Sequence, residues 1–350
     1  MSHPYRTLSA DHFWSRSVAA PAAHEIDPVV GSPFHIRTDD KVATMGSCFA
    51  QHLSRFILKQ GMTYFVPENG GPDLSSEERA IRGYGVFSAR YGNVYTVRQA
   101  LQLFDRAYGT WSPVEPEWRL GEKWIDPFRP HVEPDGFATE SDLETDRRCH
   151  LAAVRQVFEE SKVFVFTLGL TETWRSLEDG AIFPVVPGAS GGTFDASRYE
   201  FVNFGVVDVT ADLLAFVDRI KSVNSSVKVM LTVSPVPLIA TYSDQHVLPA
   251  TTYSKSLLRV AAAEAEQARD FVHYFPSYEV ITSPAAGNKY FEPDLRSITD
   301  DGVAHAMRVF SQHYLESTDE SPATEAARDI IQEISKTNSI VCDEEVLDRT

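Results

Sequence analysis

The residues Gly46-Ser47-Cys48-Phe49-Ala50 stand between a short apolar run and an amphipathic stretch. Glycine permits a sharp turn there. The residues after such a turn sit at a helix N-terminus, where free N–H groups and the helix dipole favour an anion, a thiolate included. Strand, glycine turn, nucleophile and helix form a construction suited to covalent catalysis, with Cys48 or Ser47 attacking. The same residues also fit a tight turn around a buried cysteine. A second candidate block is Gly169-Leu170-Thr171-Glu172. The Gly169 N–H and the Thr171 side chain could together hold an oxyanion, and Glu172 could orient a base or cap the loop. A third segment carries Asp244 and His246 beyond Ser234-Pro235-Val236-Pro237. A histidine in such a loop is a candidate general base, although a lone loop histidine is also an ordinary solvated residue. Further on, Asp294, Asp300 and Asp301 surround the start of the last helix, and His305 lies in its second turn. Charge matching at a helix N-terminus accounts for the two later aspartates equally well. No cysteine–histidine group has zinc spacing, Cys149-His150 being an isolated pair, so no metal is expected.

These residues need elements to hold them. Apolar runs at Lys41–Met45, Met62–Val66, Val163–Leu168, Val227–Val233 and Val272–Phe275 read as strands. Helical spacing is found over Phe49–Gln60, Val97–Tyr108, Ser141–Glu160, Val209–Val223, Ser254–Arg269 and Thr299–Tyr314. The Ser141-to-Glu144 spacing suggests a capping box for the third of these, and Thr299 an N-cap for the last. Strands separated by helices predict an α/β fold with a mostly parallel sheet covered on both faces. Ligands of such sheets bind beyond the carboxyl ends of the strands, where the candidate residues fall. Two regions stand outside this alternation. Trp111–Phe137 holds five prolines and three tryptophans, and reads as a cap over a pocket or a structural surface loop. From Glu316 to the end, 10 acidic residues face 3 basic ones, which suggests a peripheral tail with a helix over Thr324–Lys336.

Composition narrows the classes. The 350 residues carry a formal net charge of −17, which excludes nucleic acid as a bulk partner because phosphate binding needs a positive footprint. Three cysteines, Cys48, Cys149 and Cys342, make no disulfide framework and suggest a reducing, cytoplasmic setting. The first residues show no apolar signal core, and no run is long enough to span a membrane.

The pentapeptide at Gly46–Ala50 resembles the motif after which the GSCFA family is named. The likeness extends through Tyr91-Gly92-Asn93, Asp126-Pro127-Phe128-Arg129-Pro130, Phe166–Glu172, Thr232–Pro237, Ser254-Lys255-Ser256 and Tyr274–Glu279. It implies a domain over 37–315 with an insertion near 109–138, an N-terminal extension over 1–36 and a tail over 316–350. That family in turn resembles the SGNH (GDSL-like) hydrolases, which implies a flavodoxin-like three-layer sandwich and an esterase or acyltransferase activity. A capsule-biosynthesis family of acetyltransferases with a GNC motif is also similar. Both resemblances put the nucleophile on Cys48, with Ser47 as the fallback, and oxyanion donors over Gly169–Glu172, where Thr171 stands in for an asparagine. The last SGNH block, Asp-x-x-His, falls on Asp294-Leu295-Arg296-Ser297, so the histidine position is serine: either His246 or His305 replaces it, or the cysteine works as a preformed thiolate, or activity is lost. The expected function is acyl transfer to a polysaccharide or another hydroxyl acceptor, with no cofactor beyond acyl-CoA as a co-substrate. The alternative is a non-catalytic protein that binds a carbohydrate or acyl ligand. Oligomeric state is left open.

Overall fold

The structure is a computed structural model that describes residues 3–71, 73–316 and 343–348. In chain order its regular elements are α1 (Trp14–Ser17), β1 (Val42–Gly46), α2 (Ala50–Lys59), α3 (Ser76–Ile81), α4 (Val97–Ala107), β2 (Trp118–Leu120) and β3 (Lys123–Ile125). There follow α5 (Glu140–Glu160), β4 (Val163–Leu168), β5 (Glu172–Ser176), β6 (Ile182–Phe183), β7 (Tyr199–Asn203) and α6 (Val206–Val223). Then come β8 (Lys228–Val233), α7 (Val247–Ala268), β9 (Val272–Tyr274), α8 (Ser277–Thr282) and α9 (Asp300–Tyr314).

The central sheet runs β1-β4-β8-β9, every neighbouring pair parallel. Its strands are mostly apolar runs because both faces are covered. One face packs Phe164, Phe166 and Leu231 against Phe158, Phe216 and Leu258 of the helices α5, α6 and α7. The other packs Val163, Val165 and Met230 against Leu53 and Ile57 of α2 and Phe310 of α9. The expected strand over Met62–Val66 is reduced to one bridge, Val42 to Tyr64, at the open edge of β1.

Local chemistry sets the helix ends, and it moves some of them. The helix α5 is capped by Thr139, whose hydroxyl accepts from the Asp142 N–H at 3.1 Å while Asp142 returns a bond to the Thr139 N–H, so Ser141 is not the cap. Thr299 caps α9 as its spacing suggests, accepting from the Gly302 N–H. The helix α7 begins seven residues before the alanine-rich stretch, at Val247, with His246 as its N-cap.

Two small antiparallel sheets were not evident in the pattern. The hairpin β2–β3 forms inside the aromatic insertion, and β6-β5-β7 forms beyond the end of β4. They share a core in which Trp118, Ile125 and Phe128 meet Phe183, Val185 and Tyr199.

Candidate active site

The backbone at Gly46 has φ of +132°, and a Cβ there would lie 2.2 Å from the Thr167 carbonyl oxygen of β4. Only glycine passes between these strands at this point. The chain then turns at once into α2. The Ser47 N–H donates to the Thr167 carbonyl at 3.2 Å, and the Ser47 and Cys48 carbonyls accept from Ala50 and Gln51 at 2.9 and 3.1 Å. Cys48 therefore stands at the head of α2, with its thiol free and only 3% of the residue exposed. The N–H groups of Cys48 and Phe49 donate to no acceptor among the described residues. The Ser47 hydroxyl is buried and, among the described residues, unpartnered.

Two further loops close around this turn. The Val94 N–H donates to the Gly46 carbonyl at 2.9 Å, which places Asn93 beside it. After β4, Gly169 sits so close to Ser47 that an added Cβ would be 3.0 Å from the Ser47 Cβ. Its N–H is already committed to the Tyr95 carbonyl at 3.2 Å, as is that of Leu170 at 2.8 Å. The Thr171 hydroxyl donates to the Asn203 side-chain oxygen at 2.7 Å. Both groups read as oxyanion donors thus have internal acceptors. Glu172 accepts from the Thr241 hydroxyl at 2.7 Å, and burial raises its pKa against that bond.

The aspartate and serine at the expected proton-relay position do meet. The Ser297 hydroxyl donates to one Asp294 oxygen at 2.6 Å, and the N–H groups of Arg296 and Ser297 donate to the other. Burial pushes Asp294 up, but these bonds outweigh it and hold the carboxyl below its usual range. The Arg296 side chain ties this loop to the Pro237 carbonyl after β8 at 3.2 Å.

The two candidate bases are otherwise engaged. His246 is exposed, and its Nδ1 accepts from the Leu248 N–H at 3.1 Å as the cap of α7. Its neutral ring then carries the proton on Nε2 and can donate but not accept. His305 is buried, bonded through Nδ1 to the Tyr290 hydroxyl at 2.8 Å and through Nε2 to the Ile26 carbonyl at 2.7 Å. It bolts α9 to the N-terminal segment through both ring nitrogens.

Two residues to which the sequence reading gave no role bear on this turn, although Lys255 lies within one of the motifs that carry the family likeness. His52 follows Cys48 by one helical turn, with its ring 5.5 Å from that of Phe49. Burial and the charge of Arg55 push its pKa down to about 4, against the opposing pull of Asp300. It is neutral at pH 7 and holds a basic nitrogen. The i, i+4 spacing from Cys48 was the available signal. Lys255 of α7 is 1% exposed and donates to the Gly169 carbonyl at 2.7 Å. Its signal was a lysine on the apolar stripe that continues through Leu258, Ala262 and Ala265.

Beyond Leu170 opens a cavity of about 410 Å³, walled by Trp174, Phe194, Phe201, Leu238 and Tyr242 and bounded by Leu347. The aromatic insertion contributes no residue to this wall. It supports the wall from behind, since Trp118 packs under Gly192 and beside Val185. The acidic tail is not wholly peripheral: its short segment Asp343–Asp348 brings Leu347 to this cavity and Glu345 to a neighbouring one shared with Asp294 and Ser297. The expected helix over Thr324–Lys336, and Cys342, lie outside the described residues. Among the described residues no cluster of histidine, cysteine, aspartate or glutamate could hold a metal, and no helix is long and apolar enough to cross a membrane.

No curated protein matches the chain. The family model described as the GSCFA family matches residues 41–310, from the residue before β1 into α9. With its pentapeptide forming the turn between β1 and α2, the chain belongs to the GSCFA family.

Proposed function

We propose that this protein is an acyl-transfer enzyme, an esterase or O-acyltransferase, that works through Cys48. The observation that carries the reading is the turn at Gly46, which sets a free thiol at the head of α2 beside unused N–H groups. Support also comes from the strand order. With the Tyr64 bridge counted as an edge strand beside β1, the sheet runs 2-1-3-4-5, the flavodoxin-like arrangement of the SGNH enzymes.

In this reading the Cys48 sulfur attacks the acyl carbonyl and its proton passes to His52. The N–H groups of Cys48 and Phe49 receive the developing oxyanion. Lys255 braces the Gly169 carbonyl in the loop beside Ser47. The bond to the departing alcohol or thiol breaks and that group leaves with the proton from His52. A hydroxyl acceptor or water then attacks the thioester, loses its proton to His52 and frees Cys48, which takes the proton back. The aromatic cavity beyond Leu170 suits the apolar part of the acyl group.

The test is incubation with activated acyl esters and with acyl-CoA, followed by intact mass and product assay. One acyl adduct is expected on the natural chain and none on Cys48→Ala. A second reading, ligand binding without turnover, is favoured by one observation, the serine at position 297. An unmodified Cys48 with no turnover that depends on it would decide for binding.

A further inference from the structure

On the flank of the molecule, between the end of α4 and the middle of α5, lies a second cavity of about 570 Å³. Four of its lining residues are arginines, Arg106, Arg147, Arg148 and Arg155, against one carboxylate, Glu144. In a chain of net charge −17 that concentration of cations is out of character. Arg155 is accounted for, since it donates to the Ala107 carbonyl at 2.6 Å.

Arg106 is not accounted for. It is 8% exposed, stacks on the Phe128 ring at 3.9 Å, and its Nη2 is buried with no hydrogen-bond partner among the described residues. Its nearest opposite charge is an Asp126 oxygen 4.0 Å from Nη2. Asp126 is oversubscribed: it is bonded to Arg129 at 2.9 Å and faces the Arg147 Nε at 3.6 Å. The Arg147 Nε is itself buried without a hydrogen bond. Burial and two like-charged neighbours push Arg106 down to about 10, against the pull of Asp126. Asp146 does not relieve the shortage, because it serves Arg90 and Arg129. Glu117 lies within electrostatic reach of Arg147, and Glu115, Glu140 and Glu144 lie within reach of Glu117 on the same side.

A buried guanidinium with no acceptor is costly unless something supplies one. The cavity onto which it opens falls within the range of small-molecule sites, roughly 300–1,000 Å³. Guanidinium forks match the oxygens of a tetrahedral dianion. We infer that this flank cavity is a binding site for a phosphoryl group, held by Arg106 and Arg147 at its floor and Arg148 at its rim. It is separate from Cys48 and independent of the acyl-transfer reading.

The experiment is calorimetric titration of the full chain at constant ionic strength, with inorganic phosphate, phenyl phosphate and acetate as probes. Saturable binding of both phosphates and none of acetate is expected. Tighter binding of phenyl phosphate assigns the site to a phosphorylated small molecule, and equal binding assigns it to free phosphate; both support a phosphoryl site. Arg106→Met is expected to abolish binding. Arg148→Ala, at an exposed rim position, is expected to weaken it roughly tenfold with Tm unchanged. Absence of saturation by either phosphate, equal affinity for acetate, or undiminished binding in Arg148→Ala would overturn the inference.

Discussion

His52 places a neutral imidazole one helical turn from a buried thiol, and its low pKa has two readable consequences. Between pH 6.5, the ordinary value, and about 4, the unfolded chain takes up a proton that the folded chain refuses. The stability that His52 contributes is therefore complete above pH 6.5 and is lost as pH falls toward 4, by no more than about 3 kcal/mol. Urea unfolding at pH 7.5 and pH 5 should show a smaller difference for His52→Gln than for the natural chain. If His52 takes the thiol proton, the acid limb of kcat/KM falls near pH 4, and the same variant loses activity at least a hundredfold. A flat profile from pH 4 to 7 in His52→Gln, at unchanged rate, would remove it from the mechanism. At this scale the sequence marked the turn and its two candidate nucleophiles, Cys48 and Ser47, because glycine before two small nucleophilic residues and a helix is a local pattern. His52 offered only its i, i+4 spacing from Cys48, because its burial and the nearby charges of Arg55 and Asp300 arise only in the fold. Nor could the sequence show that His305 is engaged, since its partner Ile26 is 279 residues away.

The elements divide along similar lines. The four parallel strands are mostly apolar, interrupted by Thr44, Thr167, Thr232 and His273, so composition marks them. The sheet β6-β5-β7 is short and half-buried, with Arg175 and Glu200 paired across it, so its alternation is hidden among polar residues. The start of α7 was missed because His246 is an uncommon cap and Pro249 sits in the first turn, where a missing N–H costs nothing. Cap chemistry makes a clean prediction for α5. Thr139→Ala removes the hydroxyl that accepts from the Asp142 N–H and donates to the Asp142 carboxylate, and should lower stability by about 1 kcal/mol, read as a shift in the urea midpoint at constant m. The turn between β1 and α2 tolerates far less. Gly46→Ala forces a side chain into the Thr167 carbonyl and should cost on the order of 3 kcal/mol or more, measured as a fall in Tm or as insoluble expression. A soluble variant with unchanged Tm would show that β1 and β4 can move apart.

Across the whole molecule, one buried ionic network joins parts distant in sequence. The Arg90 guanidinium is fully buried and binds Asp146 and Glu133, each at 2.7 Å, as well as the Val132 carbonyl. It ties the segment before α4 to the aromatic insertion and to α5. Arg90→Met removes the buried cation from a network in which Asp146 keeps only Arg129 and Glu133 only the more distant Arg82, and should destabilise by about 3 kcal/mol, with near-ultraviolet dichroism of the insertion tryptophans lost in the same transition. Separate transitions would mean that the insertion folds apart from the sheet. The steric demand at Gly46 also governs how this chain can change over generations. Every codon change that replaces that glycine adds a Cβ, whether or not the protein has chemistry to perform. Purifying selection at position 46 would therefore persist in a descendant that only binds, and the record of a lost activity would be written first at Cys48 and His52, where no backbone stands in the way.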